Sequence, residues 1–182
     1  MVTKAYSPGD QHKNLGPTPF EDKRAQIDYT PEEAALLQNK LEKQLGPEYV
    51  SHRPGPSNTK IPYLEGFKAV NLANEVFGFN GWSSTVKETT VDFVDVHSNG
   101  KIDLGIAVIV RVTLKDGTFH EDVGFGHVEN AKTKYAAFEK GRKSAVTDGM
   151  KRALKNFGNL LGNCMYNKDY LSKVTKIKAE PV

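Results

Sequence analysis

Six basic residues lie within the short stretch 140–155, among them Lys140, Lys143, Lys151, Arg152 and Lys155. If the stretch is helical, each residue turns the chain by roughly 100°. With Lys140 set to 0°, Lys143 falls at roughly 300°, Thr147 at roughly 340°, Lys151 at roughly 20° and Lys155 at roughly 60°. Phe138, Gly149, Ala153 and Phe157 fall at roughly 160° to 260°. The lysines therefore form one stripe opposite the apolar one. Arg152, near the border at roughly 120°, can lay its stem on the core and keep its guanidinium wet. Such a rail suits phosphates, which it positions without reading bases. The competing reading is a solubilising helix face. It is weakened by the scarcity of acids there, because solvated helices ordinarily interleave both signs.

The whole-chain charge of +3 conceals this segregation. Residues 1–131 carry 13 Lys/Arg against 18 Asp/Glu, whereas residues 132–178 carry 12 against 3. An asymmetry of this size points to a polyanionic partner.

Other residues are weaker candidates. Arg53 and Lys60 flank a Pro/Gly loop beside Tyr49 and Tyr63. That mixture suits single-stranded nucleic acid, and it equally suits two tyrosines anchoring a core. His120, Glu121 and Asp122 fall in a strand pattern, so His120 and Asp122 share one face and Glu121 takes the other. Asp92 and Asp95 are likewise split. Metal-assisted phosphodiester cleavage needs carboxylates facing each other, and only tertiary contacts could supply such a pair here. Gly124-Phe125-Gly126 lacks a third glycine, and Gly158 to Asn163 lacks the Gly-Lys-Ser/Thr ending, so neither is a phosphate loop. Cys164 reads as packing.

The elements that must hold these residues follow from the same pattern. Thr30-Pro31-Glu32-Glu33 opens a helix with a capping hydroxyl, a first-turn proline and a Glu at the third helical position. Its apolar stripe runs through Ala35, Leu36, Leu37, Leu41 and Leu45, and Gly46-Pro47 ends it. Residues 51–60 read as a loop. A second helix is expected from Glu65 to Phe77, stopped by Gly78. The period then becomes two. Trp82 to Lys87 reads as a short strand or the entrance to one, Val91 to Val96 alternates, and further strands are predicted over Ile106 to Leu114 and Thr118 to Phe125, with turns at His97-Ser98-Asn99-Gly100 and Lys115-Asp116-Gly117. A long helix is expected from Glu129 to Leu161, with Ala131, Tyr135, Phe138, Val146, Met150 and Leu154 among its apolar positions. Gly141, Gly149 and Gly158 within it imply close approach of a neighbouring backbone, or a break at Gly158. The fold class is α+β: a β-β-β-α core, an antiparallel meander on a long helix, with two helices in front.

Several classes are excluded. No run reaches the ~18 apolar residues of a membrane span, and Met1 to Asp10 has no apolar core of a secretory signal. A single cysteine precludes an intramolecular disulfide and a cysteine-based zinc site, and argues for a reducing compartment. The expected organisation is a flexible polar lead over 1–27, one domain over 28–178, and a tail over 179–182.

Four stretches taken together carry a resemblance: YLEGFKAVNLANEVFGFNGWSS (63–84), VDFVD (91–95), FHEDVGFG (119–126) and KSAVTDGMKRALKNFGNLLGN (143–163). The chain resembles the N-terminal domain of the Rad-fifty-two-type eukaryotic single-strand annealing proteins, in a fungal-like spelling, from about Tyr29 to Lys178. The resemblance implies a closed ring of about ten or eleven subunits with single-stranded DNA in a basic groove, weaker binding of double-stranded DNA, nuclear location, and no cofactor, metal or catalysis. It implies an inner groove using Arg53, Tyr63, Lys151, Arg152 and Lys155, to which the lysine stripe of the helix adds Lys143. An outer site would use Lys101, Lys132, Lys168 and Lys173, the last standing beside Ser172 where the family carries an arginine. It also implies that contacts with the recombinase and the single-strand-binding protein lie in a C-terminal region beyond Val182. Two other readings stay open on the residues alone: a metal-dependent nuclease using Asp92, Asp95, Glu121 or Asp122, and a basic scaffold for an acidic protein.

Overall fold

The computed structural model describes residues 26–177. The expected lead and tail fall outside that span, apart from Gln26 and Ile27. Ile27 donates its backbone N–H to Lys115 O at 2.9 Å.

Helix α1 spans Pro31–Leu41. Its expected capping box forms: Glu33 N donates to Thr30 Oγ1 at 3.2 Å and Thr30 N donates to Glu33 Oε2 at 3.0 Å. The helix stops before Gly46-Pro47, so Leu45 is not on its stripe. Leu45 is buried beyond the helix end, and Leu36 is exposed. Residues 51–60, expected as a loop, form most of a β-hairpin, β1 Val50–Pro54 paired antiparallel with β2 Lys60–Leu64. Proline composition concealed it. Pro54 and Pro62 are tolerated because a two-stranded ribbon consists of edges. Helix α2 follows at Gly66–Phe77, with Gly78 at its C-terminal stop at φ 85°.

The meander consists of β3 Trp82–Val96, β4 Ile102–Leu114 and β5 Phe119–Ala131, in spatial order β3-β4-β5 and antiparallel throughout. β4 and β5 exceed their predicted lengths because pairing, not local pattern, sets strand ends. On β4 the even-numbered residues from Ile102 to Leu114 are all buried. They face the long helix α3, Lys134–Lys155, capped at Thr133.

Helix α3 is shorter than its sequence pattern. Ala131 belongs to β5, and Tyr135 is 76% exposed. Beyond Lys155 the chain leaves the helix and makes short 3-10 turns at Asn159–Leu161 and Asn163–Tyr166 before α4, Lys168–Val174. The helix buries Ala137, Gly141, Ala145, Gly149, Ala153 and Leu154. All but the last recur every fourth residue, so the large apolar side chains expected to face the sheet are replaced by a stripe of small ones. Phe138, Val146 and Met150 are only partly buried at its flank. The core divides along β4. One part packs Ile102 to Val110 against Ala137 and Ala145, and the other gathers Leu45, Leu64, Leu72, Val112, Leu154, Leu161 and Tyr170.

Candidate nucleic-acid interface

The register of the β1–β2 hairpin decides what it presents. Ser51 pairs with Tyr63 and Arg53 with Ile61, so Arg53 and Tyr63 lie on one face, diagonal to each other. Arg53 Cζ stands 6.0 Å from the Tyr63 ring centroid. From α3, Lys151 approaches the same ring, with Nζ 5.8 Å from the centroid. Lys151 Nζ also donates to Leu64 O at 3.1 Å, tying helix to hairpin. Burial lowers the Lys151 pKa from the ordinary 10.5, and repulsion from Arg53 and Arg152 adds to this against the attraction of Asp148. A half-buried ammonium of this kind interacts more strongly with an arriving phosphate than a fully wet one does.

One residue along, Arg152 donates from Nε to Asp148 Oδ2 at 2.9 Å, and its Cζ lies 5.9 Å from the Phe125 ring. Burial works against the Arg152 charge. The Asp148 carboxylate more than offsets it, so the guanidinium is held above its ordinary value. Lys155 Nζ sits 4.0 Å from the Tyr166 ring, which the 3-10 turn brings over the end of α3. Lys143 is largely exposed and pairs with Glu139 at 2.7 Å.

These residues border two adjoining clefts. One, of about 350 Å³, is lined by Arg53, Tyr63, Lys151, Arg152, Lys155 and Tyr166 among others. A more open one, of about 570 Å³, shares Arg53, Lys151 and Arg152 and adds Lys143, Phe125, Ser144 and Thr147. All six residues named for the inner groove thus converge, drawn from one helix and one hairpin. The sequence pattern placed Thr147 on the lysine stripe without naming it as a site residue, and it missed Phe125, Ser144, Asp148 and Tyr166. Asp148 and Thr147 were readable from the helical spacing to Lys151 and Arg152. Tyr166 was not, because the chain turns away between it and Lys155. Of the weaker pair, Lys60 is exposed at the hairpin tip and Tyr49 packs against the core.

The four lysines named for an outer site are divided. Ile102 pairs with Ala131, which sets Lys101 and Lys132 side by side at one end of the sheet. Lys168 and Lys173 ride on α4, whose Tyr170 and Val174 are buried in the other half of the core. Most of α3, about 33 Å long, separates the two pairs. Within one chain they do not meet.

The acidic and histidine candidates also take separate places. The His120 ring packs edge-on against Phe157 at 4.5 Å, Glu121 pairs with Arg111 at 2.7 Å, and Asp122 accepts from Asn156 Nδ2 at 3.4 Å. Asp92 and Asp95 are exposed on β3. Among the described residues no group of three or more His, Cys, Asp or Glu side chains is arranged to hold a metal. Gly124 and Gly126 face α3 rather than an anion site. Cys164 is buried and free. No described helix is long and apolar enough to cross a membrane.

Comparison with known proteins gives concordant matches. A family profile described as Rad52/22 family double-strand break repair protein matches residues 33–182. The DNA repair and recombination protein rhm52 of Pyricularia oryzae is 59% identical over 177 residues, covering 96% of this chain and 32% of the relative. The DNA repair and recombination protein radC of Emericella nidulans is 62% identical over 165 residues, 90% of this chain and 28% of the relative. The DNA repair and recombination protein RAD52 of Saccharomyces cerevisiae is 54% identical over 145 residues, 80% of this chain and 31% of the relative. The chain spans about a third of the length of these curated relatives.

Proposed function

This chain belongs to the Rad52/22 family of double-strand break repair proteins, and on that premise we propose that it holds single-stranded DNA along its cationic cleft and anneals complementary strands. The observation that carries the reading is the convergence of Arg53, Lys151, Arg152 and Lys155, each beside an aromatic ring, from elements far apart in sequence. Phosphates tracked by such a row release their counterions, and the strand is held without its bases being read. Strand pairing is limited by repulsion between two polyanions. Neutralising one of them, with bases left free, lowers that barrier. No covalent step is required of the protein.

In this reading the subunits close into a ring of about ten or eleven, so that clefts join into a continuous track. Support comes from β3, a fifteen-residue edge strand bearing exposed Val86, Val91, Phe93, Val94 and Val96. Sheet edges of this length and character are ordinarily covered. A ring also brings the divided lysines of neighbouring subunits within reach of one another, which gives an outer site formed by Lys101 and Lys132 of one copy with Lys168 and Lys173 of another. Double-stranded DNA binds more weakly, because a duplex is too stiff to follow the cleft. Recombinase and single-strand-binding-protein contacts belong to segments of the longer relatives outside the matched part, and the site of action is the nucleus.

The test is Lys151→Ala combined with Arg152→Ala, assayed by single-strand binding across a salt series. Affinity should fall at least tenfold, and the salt slope should flatten by roughly two phosphate contacts. An unchanged affinity and slope overturns the cleft assignment.

A further inference from the structure

We infer that Asp148 is a positioning residue for the DNA cleft, one that strengthens phosphate binding although it carries the wrong charge for it. The inference rests on the DNA-binding reading above. Asp148 is the only carboxylate lining either cleft among the described residues, and it stands amid Arg53, Lys151 and Arg152. By Coulomb's law alone it repels the phosphates that these cations attract.

Its bonding explains what it does there. Asp148 Oδ2 accepts from Arg152 Nε at 2.9 Å and from the backbone N–H of Phe125 at 3.1 Å. That N–H belongs to β5, on the edge facing away from β4, and has no strand partner. The carboxylate is therefore anchored to the sheet and in turn anchors the guanidinium. The Glu139–Lys143 pair on the same helix has no backbone anchor. Two further consequences follow. Holding Arg152 through Nε leaves its terminal nitrogens free to fork onto a phosphate. A negative charge among Arg53, Lys151 and Arg152 also relieves their mutual repulsion before DNA arrives and favours the charged form of Lys151. The cost of ordering the guanidinium is met in the free protein, so binding loses less to it.

The two accounts of Asp148 predict opposite signs. The experiment measures the affinity of a labelled oligo-thymidylate for the 182-residue chain, Asp148→Ala, Arg152→Ala and the double variant. Positioning predicts that Asp148→Ala weakens binding about fivefold in the parent chain. In the Arg152→Ala background, where nothing remains to be positioned, the same change should leave affinity unchanged or raise it. Tighter binding in the parent chain makes Asp148 a mere repulsive charge and overturns the proposal. Equal weakening in both backgrounds assigns it to the fold and overturns it as well. Asp148→Asn repeats the cycle with the side-chain shape and the acceptor for Phe125 retained, and it decides the matter if the alanine variant does not fold. If the parent chain itself ignores the oligonucleotide, the DNA-binding reading fails. A loss on Lys151→Ala beside a gain on Asp148→Ala sinks the positioning role alone.

Discussion

Gly124 on β5 and Gly149 on α3 lie backbone against backbone. A Cβ on Gly124 would strike the Gly149 main chain and Ala145 O, and one on Gly149 would lie 2.7 Å from Val110 Cγ2. One step along, a Cβ on Gly126 would strike Gly141 O. This contact fixes how near α3 comes to the sheet. It thereby sets how far Asp148 and Arg152 reach across the β5 edge.

Gly124→Ala is expected to destabilise the fold by about 2–3 kcal/mol, because the obstructing atoms are main chain and cannot move aside. Thermal unfolding reads this directly. Gly100→Ala is the contrasting case: open space surrounds it, and the cost comes only from its positive φ of 78°. It should shift the midpoint less.

The same glycines show how much of the molecule was legible beforehand. Gly141 and Gly149 announced a close backbone approach within a helix, and that approach exists. What they approach was hidden, since Gly124-Phe125-Gly126 on its own looks like a failed phosphate motif. The capping box at Thr30, the turns at Asn99-Gly100 and Asp116-Gly117, and the order of the meander were readable because each depends on local chemistry. The β1–β2 hairpin was not, because only pairing makes strands of a segment so rich in Pro, Gly and Ser. The cationic stripe on α3 was legible from its period. Its aromatic companions Phe125 and Tyr166 come from other elements, and no spacing rule connects them to it.

If the proposed cleft binds DNA, Lys151 should make that affinity sensitive to alkali. Its pKa lies below the ordinary 10.5 chiefly through burial. Affinity should begin to fall as pH rises through that lowered value, before exposed lysines titrate. Lys151→Arg keeps the charge and should remove this early loss. Stability runs the other way: the folded chain releases this proton at lower pH than the unfolded chain, so the cost of burying the charge disappears as pH rises. Binding isotherms between pH 7 and 10.5 on both chains provide the check.

Tyr170 tests whether the core can be loosened without touching the cleft. Its hydroxyl donates to Leu45 O at 3.0 Å in a buried setting. Tyr170→Phe leaves that carbonyl without its partner and is expected to cost about 1–2 kcal/mol. Denaturant unfolding should show the loss, with single-strand affinity unchanged below the new transition.

The sheet edges make the last prediction directional. On β5 the N–H groups of Val123 and Phe125 already donate to Asp122 Oδ1 at 2.8 Å and to Asp148 Oδ2 at 3.1 Å. That half of the edge is capped, so in the proposed ring a neighbouring copy must pair beyond Gly126 or cover the strand with side chains. β3 carries no comparable cap among the described residues, and its valines are exposed. Placing Lys at Val91 and Val94 should therefore break the proposed ring while leaving the chain folded, since both positions are solvent-exposed in the single chain. His127→Lys, on the open half of β5, should do the same more weakly. Sedimentation should report monomers for the double β3 variant with unaltered far-ultraviolet dichroism, and annealing of complementary oligonucleotides should fall with assembly. An intact ring in that variant would place the subunit contact elsewhere than at β3.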